Sequence, residues 1–459
     1  MFKTNLSRWV ALINRSSRQG RHQDALQLFH QMRSQGFAPD LYILPSLLRA
    51  CARLPAPDTG RSLHAVVLRS ASPHDAFVCS ALIDMYCKCG RVPCARQVFD
   101  ETLHKDLVVW NSMVSGYAQR GAAEAALLLS VKMKSLGAKP DLVTWNALIS
   151  GFAREGDDGM AMDLLSSMQS EDAEPDVFSW TSIITGLVFN FKYSKAFEIF
   201  GHMVKIAGVR PSSVTISSLL PACANVVDLR RGKQIHGYAL VAGTGEDLYV
   251  GSALIDMYTK CGLVFEAKKV FDDMYDRNTV SWNSMIFGYA NHGYCKEAID
   301  LFNRMKIEGV RLDHQTFTAA LSACSHGGMV KLGRNLFRSM QEEHRVEPRL
   351  EHYACVVDML GRAGELMEAC NLIAEMPMEA DAFVWGALLG ASRNHGNLEL
   401  AELAASHLFK LEPESAGSCV LLSNVLAGAG RQGDALKLKK LVKRKKMITL
   451  TGCSWMQVA

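Results

Sequence analysis

Three thiols, Cys87, Cys89 and Cys94, fall within one short stretch of the chain. A trio of thiolates is the kind of ligand set that holds zinc tetrahedrally. The surrounding segment, CSALIDMYCKCGRVPCARQVFDE at 79–101, returns as GSALIDMYTKCGLVFEAKKVFDD at 251–273. There the three positions carry Thr259, Cys261 and Glu266, while the rest of the segment is kept. A zinc site does not survive the loss of two of its three ligands, and no C-x-x-C pair occurs in the chain. The thiols read instead as small, half-apolar side chains on repeated elements, and no metal or other cofactor is expected.

Catalytic constellations are missing in the same way. The chain contains no H-x-E followed by P-C-x-x-C, the zinc deaminase signature, and no G-x-x-x-x-G-K-[ST], H-E-x-x-H or G-x-S-x-G. The 14 histidines, His64 and His236 among them, fall at repeated positions, which points to packing or to a solvated face. No catalytic residue is assigned, and the chain is expected not to be an enzyme. The 13 cysteines, an odd number scattered along the chain, suggest a reducing compartment. One dense basic run remains: Lys437, Lys439, Lys440, Lys443, Arg444, Lys445 and Lys446. Such a run is commonly a solvated helix face, and its functional alternative is contact with a polyanion or a partner.

The elements that carry these residues follow a period. Trp110, Trp145 and Trp180 are 35 residues apart, and the gaps Trp9–Trp110 and Trp180–Trp282 are 101 and 102 residues. Each long gap is two units of about 35 and one of 31 residues, a spacing that marks a solenoid of small repeated units. Blocks begin at Leu6, Leu41, Ala76, Leu107, Leu142, Val177, Ser213, Leu248, Thr279, His314 and Leu350, with two related blocks at Ala382 and Ala416. In the block at Leu142, Trp145, Leu148, Ile149 and Phe152 keep helical spacing. Gly156 then supplies a helix stop, as do Gly20, Gly90, Gly121, Gly262, Gly293 and Gly364 elsewhere. A second apolar-periodic stretch follows, closed by a Pro-Asp turn such as Pro140-Asp141 or Pro175-Asp176.

Each block is thus a helix–turn–helix that must stack on its neighbours to bury its apolar face. The twentieth block residue is always small: Ala25, Ala95, Ala126, Ala161, Ala196, Ala267, Ala298 and Ala369, or Gly60, Gly232 and Gly333 in the long-type blocks. Uniform smallness at one helical position predicts close helix–helix approach. The fold class is therefore all-α, one quasi-linear solenoid of stacked helix–turn–helix repeats. No apolar run approaches the ~18–20 residues needed to span a bilayer, and no membrane association is expected.

VVWNSMVSGYAQRG…AKPD, LVTWNALISGFAREG…AEPD and TVSWNSMIFGYANHG…VRLD resemble pentatricopeptide repeats. The mixed block lengths, with long-type LLPACANVVDLRRGKQIHG (219–237) and ALSACSHGGMVKLGRNLFRSM (320–340), resemble the plant subclass of standard, long and short repeats. EHYACVVDMLGRAGELMEACNLIAEMP (351–377) is similar to its terminal short repeat. Residues 384–415 and 421–458 resemble its two-part E extension. The resemblance implies a right-handed α-solenoid superhelix. It divides the chain into a leader at 1–5, eleven repeats at 6–381 and two extension motifs at 382–415 and 416–459. A transit-like region, 1–23, basic and without acids, overlaps the first repeat.

The resemblance further implies sequence-specific binding of single-stranded RNA, one base per repeat, through the fifth and last residues of each block. The pairs are Ser80/Asp106, Asn111/Asp141, Asn146/Asp176, Thr181/Ser212, Ser217/Asp247, Ser252/Asn278 and Asn283/Asp313. Val10/Asp40, Pro45/Asp75, Thr318/Arg349 and Ala354/Asp381 depart from the informative combinations. By the family's code the seven informative pairs select G, U, U, a purine, G, A and U, 5′ to 3′. Exposed valines at position two, Val108, Val143, Val214 and Val280, are implied as wedges between bases. Taken singly, each pair also fits ordinary helix capping and turn chemistry.

The E extension implies a site-recognition factor for C-to-U editing of organellar transcripts, recruiting a deaminase-bearing protein in trans through 382–459. A monomer is expected, in the mitochondrion or alternatively the chloroplast. Lys437, Lys440, Lys443 and Arg444 are candidate contacts to RNA backbone or to that partner. A net charge of +4 limits non-specific attraction to phosphate. Two other readings stay open: an organellar splicing, stability or translation factor, and a tetratricopeptide-like protein scaffold.

Overall fold

The structure is a computed structural model that describes residues 2–39, 42–69, 75–412, 416–428 and 430–444. Among the described residues there are 26 α-helices and no strand, running from Phe2–Arg18 to Gln432–Arg444. They form two compact units, Met1–Ala222 and Cys223–Ala459. Within each, helices alternate in pairs, and each unit is an α-solenoid. A first helix packs on its own second helix and on the first helix of the next repeat.

The repeat at 142 shows why the sequence folds this way. Asp141 adopts extended backbone and its carboxylate accepts from the Thr144 N–H, capping helix Leu142–Glu155. Trp145, Leu148, Ile149 and Phe152 are buried along one stripe. Gly156 ends the helix at φ 86°, a left-handed conformation that costs an L side chain strain. Asp157 caps the second helix, Asp158–Ser170, which buries Ala161, Leu164, Leu165 and Met168. Burying each of the larger apolar side chains contributes about 1.5–3 kcal/mol. The short blocks are short because their second helices lose a turn: Val92–Glu101 and Val264–Asp273 have 10 residues where Ala123–Ser135 has 13.

The small twentieth position is fully buried at Ala25, Ala95, Ala126, Ala161, Ala196, Ala267, Ala298 and Ala369. In the long-type blocks its place is taken by glycine facing methionine: a β-carbon on Gly60 would stand 2.5 Å from Met85 Sδ, and one on Gly232 2.5 Å from Met257 Sδ. Of the recurrent tryptophans, Trp110, Trp145, Trp180 and Trp282 are core residues, while Trp9 is half-buried. Trp110 and Trp282 are buried and each meets a phenylalanine of the preceding second helix edge-on at 5.0 Å, Phe99 and Phe271 respectively.

In the first two blocks the helix start departs from the block start. Helix Phe2–Arg18 begins before the block start at Leu6. In the next block the helix is Leu44–Arg53, so Pro45 lies in its first turn, where a missing N–H costs nothing.

The helix stop named at Gly156 is filled by Val227 in the long-type block at Ser213, with φ 54°. A β-branched residue there is strained by about 1–2 kcal/mol, partly offset in a glycine variant by its larger unfolded-state entropy. Val227→Gly should therefore stabilise the protein by about 0.5–1 kcal/mol. The check is a urea melt, in which an unchanged or lowered midpoint counts against the strain.

Candidate nucleic-acid interface

The last residue of each block does more than turn the chain. Asp75, Asp106, Asp141, Asp176, Asp247, Asn278, Asp313 and Asp381 each cap the first helix of the following repeat with a side-chain oxygen. Three of the aspartates also hold an asparagine at the fifth position of their own repeat. Asn111 Nδ2 donates to Asp141 Oδ1 at 3.0 Å and to Oδ2 at 3.1 Å. Asn146 Nδ2 donates to Asp176 Oδ1 at 3.3 Å, and Asn283 Nδ2 to Asp313 Oδ1 at 2.9 Å. The capping alternative and the pairing alternative are thus the same geometry. These amides are largely covered: Asn111, Asn146 and Asn283 are only 7–9% exposed.

The remaining pairs are built differently. Thr181 Oγ1 lies 2.7 Å from Thr215 Oγ1, which is 3.1 Å from Ser212 Oγ, so the pair is joined through a third hydroxyl. Ser252 Oγ donates to the Leu248 carbonyl at 2.8 Å and lies 3.5 Å from Asn278 Oδ1. Ser80 donates to the Phe77 carbonyl at 2.9 Å, while Asp106 caps Val109 N–H. Ser217 donates to the Val214 carbonyl, and Asp247 accepts from Val250 N–H of the next helix. Thr318 donates to the His314 carbonyl, and Arg349 N–H donates to His352 Nδ1. Val10, Pro45 and Ala354 offer no polar side chain. Asp40 lies outside the described residues.

Position two supplies walls. Val108, Val143, Val214 and Val280 are 54–61% exposed, one per first helix. Sequence reasoning missed that aromatic residues occupy the same position elsewhere: Phe77, Phe178, Tyr249 and Phe383 are 57–80% exposed, and Tyr42 84%. The signal was present, since exposed apolar side chains at one block position mark a surface kept apolar against the solvation of its neighbours. Between successive walls lie open cavities. One of about 390 Å³ is flanked by Val143 and Phe178 and lined by Asn146 and Asp176. The next, about 600 Å³, is flanked by Phe178 and Val214 and lined by Thr181 and Ser212. In the second unit a cavity of about 450 Å³ is lined by Val280, Gln315, Asn283 and Asp313. The first two are apolar-walled slots with a polar pair inside, and the third has an apolar wall at Val280 and a polar one at Gln315.

Charge is placed sparingly around these slots. Arg154 lines both slots that share Phe178. Lys260 lines the Asn283 slot and pairs with Asp256 at 2.9 Å. Burial pushes the Asp313 carboxyl up, but hydrogen bonds from Thr316 N–H, the Asn283 amide and the Thr316 hydroxyl outweigh it and leave its pKa below the ordinary value. It therefore stays an acceptor. In the basic run Lys437 and Lys440 are exposed, and Lys437 pairs with Asp434 at 3.1 Å. The side chains of Lys443 and Arg444 lie outside the described residues.

Buried thiols and several imidazoles pack within and between the repeats. Burial pushes the Cys87 thiol up to about 12, and Cys94 is exposed on another helix. Among the described residues no group of three His, Cys, Asp or Glu side chains could hold a metal ion. His64 Nδ1 meets Tyr86 Oη at 3.0 Å, and His236 meets Tyr258 at 2.8 Å, each joining a long-type second helix to the next first helix.

Known proteins share this pattern. Residues 105–154, 140–188, 175–225 and 277–326 match the PPR repeat family, and 9–37, 77–107, 252–279 and 315–344 match the PPR repeat. Residues 395–457 match the E motif. The chain is 51% identical over 457 residues to pentatricopeptide repeat-containing protein At5g59600 of Arabidopsis thaliana, covering 100% of this chain and 85% of that protein. It is 34% identical to the chloroplastic At3g57430 protein of the same plant, over 99% of this chain and 56% of the relative. The crystal structure of the pentatricopeptide repeat protein PPR10 in complex with an 18-nt psaJ RNA element is similar in fold, with TM-score 0.57 and 16% identity over 97% of this chain and 80% of that one. In fold, repeat register and sequence alike, the chain belongs to the pentatricopeptide repeat proteins and carries an E extension.

Proposed function

We propose that this chain binds single-stranded RNA in sequence-specific fashion, one base per slot. The observation that carries the reading is the pair of neighbouring cavities in the first unit, walled at position two by exposed Val143, Phe178 and Val214 with a polar pair inside each. A base is a flat apolar ring with a polar edge, so stacking and edge recognition need these two surfaces at right angles. The structurally similar PPR10 was crystallised with an RNA element, which supports the same use. The base-reading residues are the seven pairs from Ser80/Asp106 to Asn283/Asp313, and the wedges are Val108, Val143, Val214 and Val280, joined by the aromatic residues at the same position. The expected ligand contains GUUAGAU, with the fourth base a purine of either kind.

The finer reading is a site-recognition factor for C-to-U editing in an organelle, with a deaminase-bearing partner docked on the extension motifs at 382–415 and 416–459. Lys437, Lys440, Lys443 and Arg444 would meet RNA backbone or that partner. Support comes from the E motif at 395–457 and from matched relatives named chloroplastic or mitochondrial. The mitochondrion is our assignment between the two.

Binding is tested by titrating the chain against GUUAGAU RNA and against variants with single swaps opposite Asn111 and Asn146. Matched RNA should bind best, and Asn146→Thr should move the preference at its slot from U toward G. Equal, weak binding to all RNAs would end the reading. Editing is tested separately, by sequencing organellar transcripts from plants lacking the protein. A cytidine left unedited supports it, and intact editing with altered splicing or transcript level replaces it with a processing role.

A further inference from the structure

The Asn–Asp pairs have a third member that the fifth-and-last description leaves out. Thr144, the third residue of the block following Asn111, donates its hydroxyl to Asn111 Oδ1 at 2.5 Å. Ser179 does the same to Asn146 Oδ1 at 2.5 Å, and Thr316 to Asn283 Oδ1 at 2.8 Å. At the Thr181 slot the corresponding hydroxyl is that of Thr215, 2.7 Å away. All four third-position side chains are fully buried, so none can touch a ligand in the slot. Where the fifth residue is Pro45, Ser80 or Ala354, the next third position is Val78, Val109 or Val384 instead.

The hydrogen bonds form a closed circuit across the repeat junction. An aspartate carboxylate can only accept, so the edge of Asn111 that faces Asp141 must be its NH₂. Its carbonyl then faces Thr144, which must donate. The Thr144 hydroxyl in turn accepts from Asp141 N–H at 3.3 Å, and Asp141 accepts from Thr144 N–H at 2.9 Å. Both ends of the amide are thereby held. One N–H and one carbonyl lone pair remain, at fixed directions, for whatever enters the slot.

We propose that Thr144, Ser179, Thr215 and Thr316 are positioning residues for base selection, each fixing the fifth side chain of the preceding repeat through a cross-repeat hydrogen bond. The proposal rests on the RNA-reading function above. Selectivity comes from presenting the amide in one orientation, since a swinging amide offers donor and acceptor to any base edge.

The test measures binding of the full chain to RNAs with U or another base opposite Asn111 and, separately, opposite Asn283. Thr144→Val, nearly isosteric but without the hydroxyl, should reduce the preference for U at the Asn111 slot by about two- to tenfold, the worth of one neutral hydrogen bond. Preference at the Asn283 slot should be unchanged, and Thr144→Ser should retain both. Unchanged selectivity in Thr144→Val overturns the positioning role and leaves RNA reading intact. Loss at both slots also overturns it, because it marks general loosening. A wild-type chain without base preference at either slot overturns both proposals. Should Thr144→Val fail to fold by circular dichroism, Thr316→Val gives the same comparison with the slots exchanged.

Discussion

Gly186→Ala should destabilise the first unit by about 3 kcal/mol, although it adds a single methyl group. Gly186 sits on helix Val177–Phe189 where that helix crosses Leu142–Glu155. A β-carbon there would stand 2.5 Å from the Ala153 carbonyl oxygen, 2.6 Å from its carbonyl carbon and 2.6 Å from its Cβ. Two of those three atoms are backbone, so no rotamer change relieves the clash and the helices must separate. Separation strips contact from Ile183, Ile184 and Ile149, all fully buried. Gly201→Ala is the matched control: its β-carbon meets nothing within 4 Å, and in a helix interior alanine should stabilise by about 0.5–1 kcal/mol. Urea melts of the two variants should move in opposite directions. If both move upward, the helices are less closely packed than described.

Phe178→Ala should weaken RNA binding by about 5- to 150-fold, corresponding to about 1–3 kcal/mol of lost stacking. Phe178 is 57% exposed, so its removal costs little stability. It walls both the Asn146 slot and the Thr181 slot, which makes it the shared partition of two neighbouring sites. A base on either side loses its platform. Val143→Ala should cost less, since a valine offers a smaller face and bounds one of these cavities alone. Fluorescence anisotropy with a labelled GUUAGAU RNA decides the matter. An affinity unchanged in Phe178→Ala would remove position two from the interface.

The repeat, its two helices and its apolar stripe were legible because they are local and recur. Trp145, Leu148, Ile149 and Phe152 could be placed on one helix face from spacing alone, and all four are buried. The seven helix-stop glycines named from the sequence all have positive φ. Val227 and Phe191 were not legible as helix stops, because a residue forced into the left-handed region by its neighbours carries no compositional sign. The aromatic walls at position two were within reach of the sequence. By residue type alone Phe77, Phe178 and Tyr249 resemble core residues, and only their exposure distinguishes them.

What the sequence determined by itself was the period, the helical class and the identity of the paired positions, since these depend on residue type at fixed intervals along one chain. Tertiary structure decided what those positions do to one another. The Asn111 amide, Asp141 carboxylate and Thr144 hydroxyl lie up to 33 residues apart and meet only because one repeat stacks on the next. Tertiary structure also decided where a slot opens, because a cavity between Val143 and Phe178 belongs to the spacing of two first helices and to neither alone. Hydrogen-bond geometry and enclosed volume are properties of packed neighbours, and no interval along the chain encodes them directly.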